Sequence, residues 1–192
     1  MMDKNQRKHY NAPVVLCFAA ICFIATLLGS ITDGKSTVLL FMTYHSPLSS
    51  PLTYLRFFTH VFGHNGWDHF FHNMLMLLLV GPMLEDEYGH RLIAVMIPVT
   101  AVIIGVLNYI CFPDTALCGA SGVVFAFVLF AAVTNIVNRK VPILYIVLAA
   151  LLFGKMFMDD FRTVGISWMA HLVGGLIGGA AGLIYIRHYD RQ

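Results

Sequence analysis

Six stretches of this chain run apolar for close to the length of a membrane-crossing helix, at about 13 to 32, 69 to 84, 91 to 111, 119 to 137, 142 to 158 and 167 to 186. Each approaches the roughly 20 residues that carry a helix through about 30 Å of hydrocarbon, and none shows the two-residue alternation of a barrel strand. The pattern predicts an all-α membrane protein, a six-transmembrane-helix bundle in which residues 1 to 192 form one domain. The first run follows Lys4, Arg7 and Lys8 and has the flank of a signal peptide. It exceeds a typical signal core and more spans follow it, so we read it as a retained helix.

Composition agrees with this. Of the 192 residues, 58% are hydrophobic and only 11% charged, which excludes a soluble globular domain. The formal net charge of +2 is small and its basic residues scattered, so a nucleic-acid partner is not expected. Placing the N-terminus inside puts Lys4, Arg7, Lys8, Arg91, Arg139, Lys140, Arg187 and Arg191 on the cytoplasmic side. Lys35, Arg56 and Arg162 then lie outside. Both termini are therefore expected in the cytoplasm, with Lys155 snorkelling from the fifth span to the outer interface. Cys17 and Cys22 fall inside the first run as ordinary packing material, whereas Cys111 and Cys118 flank one short loop and leave a disulfide open.

The large outer loop, residues 33 to 68, is rich in aromatics and poor in charge in its second half, from Tyr54 to Trp67. Such a segment suits the membrane interface and is expected to pack on the bundle. His60 and His64 are four residues apart within it, but no HExxH pattern or carboxylate accompanies them. We expect them to hydrogen-bond inside the loop and expect no metal. The second span carries His69, His72 and Asn73 in its first turns, with His69 and Asn73 on one face. Polar groups at that depth usually face a bundle interior or a wet cavity. Its inner end, Glu85 to Arg91, reads as a solvated connector in which Glu85 holds a turn.

Two further spans open on polar residues. Ser121 lies in Cys118-Gly119-Ala120-Ser121-Gly122, at the start of the fourth, and His171 follows Ala170 at the start of the sixth. A serine so placed is either packing glue or a nucleophile, and a histidine able to take its proton separates the two readings. The second, fourth and sixth spans all run from outside to inside, which levels His69, Asn73, Ser121 and His171 near the outer surface. Ser121 is roughly 3 Å into its helix if that opens at Gly119, and His171 about 6 Å if its helix opens at Ser167. Gly174, Gly178 and Gly182 recur every four residues, with Gly175 and Gly179 beside them, which lets a second helix backbone approach the face that bears His171. If that partner is the fourth span, Ser121 and His171 reach hydrogen-bond distance. The helix end at Ser121 supplies N–H groups and partial positive charge for an oxyanion, to which His69 and Asn73 add donors. No aspartate completes a triad, since Asp159 and Asp160 sit in a polar outer loop. A dyad is favoured, with Phe125 one turn below Ser121 placed to stack on the imidazole.

These residues resemble the rhomboid intramembrane serine proteases. The similarity rests on Gly119-Ala120-Ser121-Gly122 for GxSG, on Ala170-His171 with Gly174 and Gly178 for AHxxGxxxG, and on His69 and Asn73 for HxxxN. Arg56 before Thr59-His60, and Glu85 before Gly89, complete it. It spans nearly the whole chain, from about Arg56 to Gly182. It implies a serine endopeptidase with Ser121 as nucleophile and His171 as base and then acid. His69, Asn73 and the Ser121 N–H would form the oxyanion site, with Gly119 and Phe125 supporting the dyad. The implied reaction is hydrolysis of a peptide bond in or beside a transmembrane segment of another membrane protein, with no metal or cofactor. The fifth span and the loop before the sixth are implied to gate substrate entry, with Phe153, Met156 and Phe157 as candidate gate residues. Phe125 stands where many members have tyrosine, Leu55 where tryptophan is frequent and Cys118 where glycine is common, departures that touch loop packing and substrate preference more than the chemistry. The compact core and charge bias fit a multi-pass protein of a bacterial inner membrane. The alternatives are a catalytically silent rhomboid-like protein that binds transmembrane helices, and a small channel or transporter, for which no broken-helix pair or inverted repeat is evident.

Overall fold

The computed structural model describes residues 12–137, 147, 151, 154 and 167–189. Within them the chain is all-helical: α1 (Pro13–Ile31), α2 (Lys35–Leu40), α3 (Pro51–Thr59), α4 (Trp67–Tyr88), α5 (His90–Cys111), α6 (Ser121–Val137) and α7 (Ser167–Tyr189). The first, second, third, fourth and sixth expected spans fall on α1, α4, α5, α6 and α7. The fifth lies outside the described residues, save that Val147, Leu151 and Gly154 are helical and exposed. The gate candidates Phe153, Met156 and Phe157 lie outside them too, as do Lys155, Asp159, Asp160, Arg162 and the basic residues Lys4, Arg7, Lys8, Arg139, Lys140 and Arg191.

Pro13–Ile31, His90–Cys111 and Trp168–His188 are long and apolar enough to cross a membrane, and Ser121–Asn135 is a shorter apolar helix. The distribution of side chains fits the same solvent. Leu16 and Ile24 of α1, Phe71 and Leu75 of α4, Val95 of α5 and Leu176 and Ile184 of α7 all project outward. In water such a coat of large apolar groups would drive aggregation; against hydrocarbon it is neutral. The chain is a multi-pass membrane protein.

α6 is apolar on every face, and a helix of that kind belongs at the centre. Val123, Ala126, Phe127, Val128, Phe130 and Ala131 are fully buried, with α4, α5 and α7 packed around them. The closest seam is α6 with α7. A Cβ on Gly174 would overlap the carbonyl oxygen of Gly122, and one on Gly178 that of Ala126. Bare glycine faces bring the two backbones together, which in lipid replaces the hydrophobic drive that water would supply.

Three devices fix the ends. The carboxylate of Glu85, at the C-terminal end of α4, accepts the N–H groups of Val14 (2.9 Å) and Val15 (2.8 Å), two donors that the first turn of α1 leaves unpaired. It also contacts His90 Nδ1 at 2.7 Å. Glu85 is thus a buried helix cap and not part of a solvated connector. The loop of 33 to 66 packs on the bundle as its composition predicted: Gly105 of α5 admits the backbone of Phe57, and Arg56 is buried, donating from Nε to Leu39 O (2.8 Å) under the Tyr44 ring. An isolated antiparallel bridge, Thr43 with Leu117, then ties this loop to the α5–α6 connection. Cys111 and Cys118 are free thiols.

Candidate functional site

α6 starts at Ser121 itself, two residues later than Gly119. The reason is local: Gly119 has φ +128°, outside the helical range, and its N–H donates to His60 O (2.9 Å) across the loop. The first helical bond runs from Val124 N–H to Ala120 O (3.0 Å), so the N–H groups of Ser121, Gly122 and Val123 sit at the positive end of the helix. Ser121 is half-buried there. α7 opens at Ser167, which sets the half-buried His171 in its second turn.

The glycine seam aligns these two positions. A Cβ on Gly122, next to Ser121, would lie 3.2 Å from the carbonyl of Ala170, next to His171. One turn below Ser121, the Phe125 ring stacks on the His171 imidazole with centroids 4.4 Å apart and planes 14° from parallel. Phe125 is itself buried. The imidazole therefore has a fixed plane beside the first turns of α6.

From the other side comes α4. A Cβ on Gly119 would lie 2.8 Å from Cε1 and 2.9 Å from Nε2 of His69, and 3.7 Å from Nδ2 of Asn73. His69 thus turns its Nε2 edge to the strand-like turn that leads into Ser121. Asn73 is buried and its amide donates to the His69 carbonyl at 3.1 Å, one turn back on α4. Ser121, His171, Phe125, Gly119, His69 and Asn73 are consequently drawn from three helices into one region. His72, by contrast, faces outward and bonds to Asp68 O (2.7 Å).

The two loop histidines take different partners. His64 donates from Nδ1 to Phe62 O (3.1 Å), within the loop. His60 reaches out of the loop, donating from Nε2 to Ala101 O of α5 (2.9 Å), so it fastens the loop to the bundle instead of closing on it. Burial pushes His60 down to about 4. Burial, helped by the nearby His69, pushes His64 down to about 3. Both rings are neutral at ordinary pH. The His64 ring meets the His69 ring edge-on at 5.1 Å. Among the described residues no three His, Cys, Asp or Glu side chains gather as a metal ion would require.

Sequence patterns set Cys118 in the stretch that carries Ser121 but did not single out Asn65, nor pair the two. Asn65 donates its backbone N–H to His69 Nδ1 (3.3 Å), and Cys118 Sγ lies 3.6 Å from Asn65 Oδ1. Backbone and thiol contacts of this sort carry no residue-type signature, so only the fold reveals them.

No match to a curated protein sequence was found. A family model described as the Rhomboid domain matches residues 51–188, from the start of α3 almost to the end of α7. That stretch holds every element just described around Ser121, and on this match the chain belongs to the rhomboid family.

Proposed function

We propose that this protein is an intramembrane serine endopeptidase that cleaves a peptide bond in or next to the transmembrane segment of other membrane proteins, in a bacterial inner membrane. The observation that carries the reading is the stacking of the half-buried His171 on the buried Phe125, beside the α6 end that Ser121 opens. A histidine held in one plane at a helix start bearing a serine has the makings of a base–nucleophile dyad.

In this mechanism Ser121 Oγ attacks the scissile carbonyl carbon as His171 takes its proton. The carbonyl oxygen becomes an oxyanion facing the Ser121 N–H, His69 and the Asn73 amide, each donor being worth about 10²- to 10³-fold in rate. Collapse breaks the C–N bond, His171 returns the proton to the leaving amine, and Ser121 is left acylated. A water that gives its proton to His171 then hydrolyses the ester and restores the hydroxyl. The chemistry needs no cofactor.

Labelling of the detergent-solubilised protein with a fluorophosphonate probe tests this without knowledge of the substrate. Wild type is expected to label, and Ser121→Ala and His171→Ala to lose the label. A folded wild type that stays unlabelled, or a Ser121→Ala variant that still labels, overturns the protease reading in favour of a silent binder of transmembrane helices.

A further inference from the structure

His69 has its two ring nitrogens in different company. Nδ1 receives the backbone N–H of Asn65 at 3.3 Å, and the Nε2 edge lies against Gly119. An amide N–H can only donate, so Nδ1 must offer its lone pair. The single proton of a neutral imidazole then resides on Nε2. That is the edge turned toward the segment leading into Ser121. The Asn65 amide that imposes this choice is itself steadied, because the Cys118 thiol lies 3.6 Å from Asn65 Oδ1, within reach of an S–H···O bond. Asn65 sits in the bend that leads into α4, and Cys118 in the turn before α6, so one short chain of contacts joins both walls of the site.

We infer that Asn65 and Cys118 are positioning residues that hold His69 as the Nε2–H tautomer, so that it presents a hydrogen-bond donor to the reacting carbonyl. The inference rests on the protease reading for its purpose, but not for its geometry. In the opposite tautomer Nε2 would present a lone pair to a developing oxyanion and repel it. The thiol suits the task because burial pushes Cys118 up to about 12, which keeps it protonated and a donor.

Two measurements test the inference separately from the protease reading. The first is the ¹⁵N spectrum of the histidine rings in the detergent-solubilised protein, with His69 assigned by its disappearance in His69→Gln. The expected result is a bare Nδ1 and a protonated Nε2; a protonated Nδ1 overturns the proposal whether or not the protein is a protease. The second is the rate of fluorophosphonate labelling. Cys118→Ala is expected to slow it by about two- to fivefold, the worth of one weak orienting hydrogen bond, with Cys118→Ser restoring it. Equal rates in wild type and Cys118→Ala, or a Cys118→Ser variant as slow as Cys118→Ala, overturn the role of Cys118. Absence of labelling in wild type would strike the protease reading alone, leaving the tautomer to be decided by the spectrum.

Discussion

Gly119 carries two constraints at once, and neither is a matter of its motif letters. Its φ of +128° is a conformation that a side chain resists, and the space its Cβ would take is filled by the His69 ring, 2.8 Å away. Gly119→Ala should therefore strain the turn by about 1–3 kcal/mol and push His69 aside. Under the proposed mechanism the expected outcome is a labelling rate reduced by about tenfold or more in a protein whose far-UV spectrum is unchanged. Labelling at the wild-type rate would show that His69 has no part in the reaction. At this scale the sequence was informative about which residues gather but not about how they are held. The four-residue spacing of His69 and Asn73 placed them on one face, and Phe125 lay one turn from Ser121. By contrast, Asn65 and Cys118 act on His69 through a main-chain N–H and a thiol 53 positions apart in the chain, which no local pattern encodes.

Among the elements, the α6–α7 seam was the most legible, since a four-residue glycine repeat has few uses in a membrane helix other than close approach. It also makes a contrast between neighbours. Gly174→Val would drive a branched side chain into the Gly122 carbonyl, which backbone cannot vacate. We expect a loss of about 3 kcal/mol or more, at the upper end for overpacking, seen as a lowered unfolding midpoint in detergent. Gly175→Ala, one position along, places its Cβ 3.5 Å from Leu129 Cγ, an ordinary contact, and removes a glycine from a helix interior. That change should be neutral or stabilising by up to about 1 kcal/mol. If both variants are equally tolerated, the seam does not hold the bundle. Less legible was the C-terminal end of α4. A charged run of Glu85, Asp86 and Glu87 looks solvated when read locally, yet Glu85 is buried because the N-terminus of α1, 70 residues away in sequence, brings it two unpaired N–H groups. The start of α6 was misjudged for a similar reason: what ends the helix at Ser121 is a hydrogen bond from Gly119 to a loop 59 residues earlier.

For the molecule as a whole, composition and hydropathy made the all-helical, membrane-spanning class plain, because hydrocarbon leaves helices few alternatives. The large loop was only half readable: its aromatic character announced packing on the bundle, while the depth of its histidines emerged only in three dimensions. That depth has a consequence for stability. His60 donates from Nε2 to Ala101 O, and its buried Nδ1 finds no acceptor among the described residues. His64 donates from Nδ1 to Phe62 O, with Nε2 buried likewise. A second proton on either ring would be a buried charge with no acceptor among the described residues, and the side chains that face His64 are Thr26, Phe70 and His69, none of them a carboxylate. With folded values near 4 and 3 against an ordinary 6.5, the unfolded chain takes up protons first as the pH falls. Their contribution is therefore complete above about pH 6.5, declines as the pH drops from there toward 4, and levels off below about 3. For His60 alone the full decline is on the order of 3 kcal/mol. The window to examine lies between about pH 7.5 and 5, before ordinary carboxylates begin to titrate. Across it the unfolding midpoint of the wild type should fall. A His60→Gln, His64→Gln variant, whose side-chain amides can still donate to Ala101 O and Phe62 O, should show a markedly flatter profile. An equally steep fall in the double variant would mean that the pH sensitivity lies elsewhere, and that the loop does not depend on two neutral imidazoles for its hold on the bundle.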